Sequence, residues 1–422
     1  MGPRCWWMIA LVGCASPAAS VDAKANDMSE FRTETAIELM TSYAERTGLT
    51  SQEPQQRYLW TDAFAVCNFL GLSRVTGNEH YQELGLRLVD RVHHVLGRHR
   101  VDDPRSGWIS GLDERQGEEH PTRGGLRIGK RLAERGSEDA FDQQLEWDRD
   151  GQYFHYLTKW MQALDLVARS TRQPRFNLWA RELAETAHAA FAYRPPGAGP
   201  RRMYWKMSID LSRPLVSSMG HHDPLDGLVT FVQLQTTASD FSKSPGGPDL
   251  VQEIADFASM VKGRDWATTD PLGLGGLLID AVRMQQLIHR GEFPEAELLE
   301  DLLTAALAGL EHHAQRGEFD RPATMRLAFR ELGLSIGLHA VQRMRKAVEE
   351  DRGRPELQAR IEDLIRYASL GAEIESFWLD PEHQRAQSWT EHRDINEVML
   401  ATSLVPDGCL TLPVLSENRI VL

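Results

Sequence analysis

The chain is poor in cysteine and has no long apolar run. Four cysteines occur in 422 residues, at Cys5, Cys14, Cys67 and Cys409. No two of them have metal-ligand spacing, so neither a disulfide framework nor a cysteine metal centre is expected. Cys67 lies among Ala65, Val66, Phe69 and Leu70 and reads as a small buried hydrophobe. No segment approaches the roughly 20 apolar residues of a membrane-spanning helix. Basic charge is also scarce: 47 Lys and Arg against 61 Asp and Glu leave a formal net charge of −14. Arginines are scattered among acidic residues, so the cationic surface that a nucleic-acid partner needs is missing. Motifs for nucleotides and nucleophiles are lacking too. There is no P-loop, no strand-linked Gly-x-Gly-x-x-Gly, no Gly-x-Ser-x-Gly elbow and no His-Glu-x-x-His. No cofactor and no metal are expected; an irregular site from His155, His221, His222 and His392 is the minor alternative.

What is present is an ordinary globular composition, 41% hydrophobic and 26% charged, which excludes disorder as the main state. The first residues stand apart. A short positive start precedes an apolar stretch, Cys5 to Val12, and Leu11-Val12-Gly13-Cys14 resembles a lipobox. That resemblance implies a lipidated Cys14, with Ala15 to Asp27 as a tether and membrane attachment through the lipid alone. The apolar stretch is near the short limit for a signal segment. The other reading starts the protein at Met28 and leaves it cytoplasmic. Residues 28–422 form one domain in either case.

Past residue 28 the apolar spacing is helical nearly throughout, and a two-helix unit recurs. An almost wholly apolar helix, a short polar break and a helix with one charged face follow one another. The first units are Arg57 to Val75 with Glu79 to Leu96, and Gln152 to Arg169 with Phe176 to Phe191. Next come Leu225 to Thr237 with Leu250 to Val261, and Pro271 to His289 with Pro294 to Gln315. Met325 to Val348 with Pro355 to Phe377 is the last full unit. Asp394 to Leu404 lacks a following partner, and Ser29 to Arg46 lacks a preceding one. A helix apolar all round must be buried, whereas an amphipathic one lies at the surface. Six of each in alternation, with unpaired helices at both ends, predict an all-α, closed (α/α)6 toroid rather than an open solenoid.

The long connections, roughly 99–151, 194–223 and 378–393, all run from outer to inner helices. One end of the ring is therefore plain and the other elaborated. The inner-helix N-termini add partial positive charge at the elaborated mouth, where a pocket would suit hydroxyl-rich or anionic ligands. Candidate residues collect there. The proposed catalytic set is Asp62, Asp148, Asp150, His155 and His221. The proposed binding set is Trp60, Trp108, Arg123, Tyr153, Tyr156, Lys206, His222, His392, Asp394 and Asn396. Aromatic rings beside carboxylates and imidazoles hold sugars by stacking and hydrogen bonding. Each residue also has a structural reading. Asp62 reads equally as a helix-start partner, and Asp150, Asp223 and Asp394 stand where an N-cap is expected. His155 reads equally as a satisfied core histidine.

The segments Trp60-Thr61-Asp62 and WDRDGQYFHYLTKW (147–160), within this helical pattern, resemble the six-hairpin glycosidase-like superfamily. It includes glucuronyl hydrolases, inverting glycosidases and N-acylglucosamine 2-epimerase-like isomerases. The resemblance implies a small sugar or oligosaccharide substrate and a general acid or base at Asp62 and at Asp148 or Asp150. Lys206 and Arg123 would meet an acidic sugar's carboxylate. Paired carboxylates point to glycoside hydrolysis and paired histidines to epimerisation; a non-enzymatic glycan- or peptide-binding toroid is the third reading.

Overall fold

The structure, a computed structural model, describes residues 17–197, 200–241, 246–293, 296–350 and 354–415. Cys5, Cys14 and the lipobox resemblance lie outside the described residues. The first helix, Pro17–Arg46 (α1), begins earlier than the spacing predicts. Leu59–Thr76 (α2) pairs with Glu79–Leu96 (α3), and Phe154–Thr171 (α4) with Pro174–Phe191 (α5). Asp223–Asp240 (α6) precedes Val251–Val261 (α7), and Pro271–His289 (α8) precedes Ala296–Arg316 (α9). Ala328–Glu350 (α10) is followed by Pro355–Ile365 (α11) and Ala368–Leu379 (α12), where a single outer helix is expected. Arg393–Leu404 (α13) is the last inner helix.

Local chemistry sets these limits. Leu59 to Leu72 of α2 are buried without exception, as apolar composition on every side requires. The helix stops at Gly77 in the left-handed region (φ 69°), and Asn78 then caps α3 by accepting from the His80 N–H at 3.0 Å. Proline opens α5, α8 and α11, where its missing N–H costs nothing.

The inner helices pack in cyclic order, α2 on α4, α4 on α6, α6 on α8, α8 on α10, α10 on α13 and α13 back on α2. The ring is closed. Outside it α3 covers α2, α5 covers α4 and α6, α7 covers α6, and α9 covers α8. Helices α11 and α12 lie on α10, and α1 lies on α13 and α2, so the terminal helices close the outer layer. The all-α (α/α)6 toroid is thus the observed architecture. Helices α8 and α10 come within backbone contact: a Cβ at Gly275 would sit 2.1 Å from the Gly333 carbonyl oxygen. The short helix Asp407–Leu410 binds the plain end, accepting from Gln162 at the Cys409 carbonyl (3.2 Å) and from Gln286 at the Leu410 carbonyl (2.9 Å). Cys67 and Cys409 are both buried free thiols, which fits the hydrophobic reading of Cys67.

The long connections contain strands that the helical spacing does not foresee. They are Gln152–Tyr153 (β1), Ala192–Tyr193 (β2), Arg202–Met203 (β3), Lys206–Met207 (β4) and Pro214–Val216 (β5). β2 and β3 pair antiparallel, and β4 lies between β1 and β5, with Gln152 opposite Met207 and Tyr153 opposite Lys206. This small sheet ties the 194–222 connection to the start of α4 and builds one wall of the mouth.

Candidate active site at the inner-helix N-termini

A cavity of about 1930 Å³ opens at the N-terminal end of the inner ring. Its wall on the α2 and α4 side is aromatic: Tyr58, Trp60, Tyr153, His155, Tyr156 and Trp205 all line it. The Tyr58 and Tyr156 hydroxyls are 2.6 Å apart, and His155 clusters with Tyr153 (5.4 Å) and Trp205 (6.4 Å), which also meet each other at 5.3 Å. Trp60 is buried, yet its indole N–H has no hydrogen-bond partner among the described residues. On the α6 and α8 side the lining is acidic, with Asp223, Asp226, Asp270 and Asp280.

Asp223 is the unusual group. Helix α6 begins at Asp223 itself, with His222 at the N-cap position, so the expected capping role is not the one it plays. The carboxyl turns back toward the Gly220 N–H and the His155 ring, whose Nδ1 is 3.8 Å from Oδ1. Its Oδ2 is buried without a hydrogen-bond partner among the described residues. A Cβ at Gly220 would lie 2.3 Å from that oxygen, so only glycine leaves the carboxyl its place. Burial, reinforced by the negative charge of Asp226, pushes the Asp223 carboxyl up to about 7. Burial likewise drives the His155 and His222 imidazoles down to about 4. Near neutral pH the Asp223 carboxyl thus retains a proton in a large share of molecules, beside a neutral imidazole.

Asp226 behaves oppositely although it is equally buried. Burial opposes its ionisation, but Lys159 at 2.9 Å and Arg283 at 3.6 Å outweigh this and hold it below the usual carboxylate range. Thr158 also donates to it. Arg283 is completed by Asp280, Gln233 and Thr230, each at 3.0 Å, which gives the cavity floor a fixed charge network.

Several sequence candidates do line the cavity: Trp60, Asp148, Tyr153, His155, Tyr156, His221, His222, His392 and Asp394. Asp148 is exposed at the rim. Asp394 lies inside the first turn of α13 and pairs with Arg46 at 2.7 Å, so it is not a cap. Six candidates need correction because other groups occupy them. Asp62 is buried and accepts from Tyr43, from Arg57 at 3.2 Å and from the Tyr58 N–H at 2.9 Å, a structural role at the start of α2. Asp150, also buried, joins Arg127 (2.7 Å), Arg100 (3.3 Å) and the Gly129 and Gly151 N–H groups. Trp108 is buried beneath Arg98, away from the mouth. Arg123 is paired with Glu182 on the outside of the ring. Lys206 is buried against Glu146, and Asn396 bonds the Phe329 N–H and the Trp389 carbonyl. With Lys206 and Arg123 removed, the expected partners for an acidic sugar are gone.

No family model and no curated protein matches the chain. Two solved structures are similar in overall course. One is a cellobiose 2-epimerase from Spirochaeta thermophila: 12% identity, covering 83% of this chain and 87% of that one, TM-score 0.45. The other is an α-mannanase from Bacteroides thetaiotaomicron: 8% identity, covering 90% and 96%, TM-score 0.49.

Asp226, Asp280, Arg283 and the raised carboxyl of Asp223 escaped the sequence reading. A signal existed for two of them. Asp280 and Arg283 interrupt the apolar run of α8 three residues apart, and such charges inside a buried helix must be paired or functional.

Proposed function

We propose that the protein is a carbohydrate-active enzyme, a glycoside hydrolase in which Asp223 is the general acid. One observation carries this reading: a carboxyl raised to about 7, with a bare buried oxygen, facing a large aromatic-walled cavity. A protonated acid at neutral pH is what a glycosidic oxygen needs as its bond to the sugar breaks. The orphaned Trp60 indole N–H and His222 Nε2 offer hydrogen bonds to sugar hydroxyls, and the Tyr and Trp rings offer apolar faces. Asp148, Asp280 and Asp394 line the same cavity and are the candidates for the carboxylate that activates water or attacks the sugar.

A second reading has its own support. His222 precedes α6 and His392 precedes α13, and these helices are opposite members of the six-helix ring. A neutral imidazole such as His222 can act as the base of an epimerase. The test is to incubate the protein with neutral and uronate-containing oligosaccharides in D2O and follow the products by NMR. New reducing ends without ring deuteration support hydrolysis, and deuterium beside the anomeric carbon supports epimerisation. Turnover unchanged in Asp223→Asn refutes the acid assignment.

A further inference from the structure

The cavity continues outward along an aromatic path that the acid site alone does not need. Trp147 is half exposed, with 48% of its surface open, and meets Trp205 edge to face at 5.1 Å. Trp205 in turn stacks parallel to His155 at 6.4 Å, within 13°, and His155 stands beside Asp223. Trp147 is therefore two ring separations out from the proposed acid. Trp147 also lines the cavity, so its exposed indole is within reach of a ligand bound there.

The backbone on both sides of Trp147 is rigidly fixed. Behind it, the fully buried Lys206 ammonium donates to the Glu146 carbonyl (2.7 Å), the Glu146 carboxylate (2.9 Å) and the Arg149 carbonyl (2.8 Å). The other Glu146 oxygen is taken by Arg135 at 3.0 Å. Ahead of it, Asp150 is fixed by Arg127 and by two backbone N–H groups. Two buried ionic locks thus bracket a single exposed indole. An aromatic surface that has already lost its freedom binds with less entropy cost, which suits a ligand platform better than a loose loop.

We propose that Trp147, backed by Trp205, is an outer sugar-binding subsite, and that the substrate is an oligosaccharide of at least two rings. The inner ring lies against Tyr153 and His155 at Asp223, and the next ring stacks on Trp147. Lys206 and Glu146, which do not line the cavity, are positioning residues for this platform. The proposal rests on the carbohydrate reading above but not on the choice between hydrolysis and epimerisation.

Binding is to be measured by calorimetry on the Asp223→Asn protein, so that no turnover intervenes. The probes are mono-, di- and tetrasaccharides of gluco, manno and uronate-containing series. The expected result is tighter binding of a disaccharide than of its monosaccharide in at least one series. Trp147→Ala should weaken the disaccharide by about tenfold, at the upper end of an aromatic contact, and leave the monosaccharide unchanged. Lys206→Met should weaken it in the same selective way, with Lys206→Arg restoring part of the loss. Equal loss for both lengths in Trp147→Ala, or no length dependence in any series, overturns the proposal. Length-dependent binding without any turnover by the wild type supports the subsite while refuting the enzyme reading.

Discussion

Asp223→Asn should stabilise the protein at alkaline pH and not at acidic pH, while abolishing general acid catalysis. The carboxyl has an ordinary value of 3.8 and lies at about 7 in the folded chain. At roughly 1.4 kcal/mol per pH unit, that gap corresponds to about 4 kcal/mol of penalty for the ionised form, an upper value if the site relaxes. The α6 N-terminus favours ionisation by only about 0.3–1 kcal/mol, so burial and the Asp226 charge prevail. The sign follows directly. Between pH 4 and pH 7 the folded state holds a proton that the unfolded chain has lost, so stability falls as pH rises through this window. Below about pH 4 both states are protonated and the penalty vanishes; above about pH 7 it is fully present. Asparagine keeps an acceptor for the Gly220 N–H and cannot ionise. Urea denaturation of both proteins at pH 4 and at pH 8 measures the difference, and subtracting one protein from the other cancels the titrating groups that do not interact with Asp223. The variant should gain a few kcal/mol at pH 8 relative to its position at pH 4. Turnover should fall by about 10²–10⁴, and in the wild type it should decline as pH rises through about 7. A stability difference independent of pH, or one that favours the wild type at pH 8, would refute the burial argument.

Three further outcomes test neighbouring claims. Asp226→Asn leaves Lys159 and Arg283 short of a buried counter-charge and should cost about 3–5 kcal/mol in a denaturation experiment. In whatever remains folded, the alkaline limb of the pH–rate profile should move to lower pH, because one cause of the raised Asp223 value is gone. Asp62→Asn should lower the melting temperature by weakening the contacts to Arg57 and Tyr43, yet leave turnover per folded molecule near wild type. Gly275→Ala should destabilise by several kcal/mol, since the new methyl meets the Gly333 carbonyl of α10 rather than a movable side chain; a melting curve like that of the wild type would contradict the close packing.

The toroid was legible because burial acts on whole helices. The apolar circumference of α2 and the charged face of α3 are properties of many residues at once, and no single side chain can reverse them. Closure was legible from the two unpaired terminal helices, which do lie together as α1 on α13. Individual site residues follow a different logic. Asp62 and Asp223 both stand at the start of an apolar inner helix, and spacing cannot separate them. What separates them is the reach of distant groups. Tyr43 comes from the preceding outer helix to occupy Asp62, whereas Gly220 and His155 leave one Asp223 oxygen bare. Lys206 and Asp150 looked like ligands because they are polar residues near the mouth. Each is occupied by a partner on a connection whose course the sequence does not specify.

The same contrast explains how one pocket shifts two buried aspartates three residues apart in opposite directions. Successive turns of α6 bring both carboxyls to the cavity, and α4 supplies the deciding neighbours. Lys159 sits one turn further along α4 than His155 and reaches Asp226, while the neutral His155 is left beside Asp223. A cation at one level and an uncharged ring at the next hold one carboxyl below the usual carboxylate range and leave the other above it. The pairing of α4 with α6 is therefore part of the chemistry. A Lys159→Met substitution removes a cation that lowers both carboxyls, so while Arg283 keeps Asp226 ionised the Asp223 carboxyl should ionise at higher pH. The alkaline limb of the pH–rate profile should then move to higher pH, and a limb that moves to lower pH would refute this account.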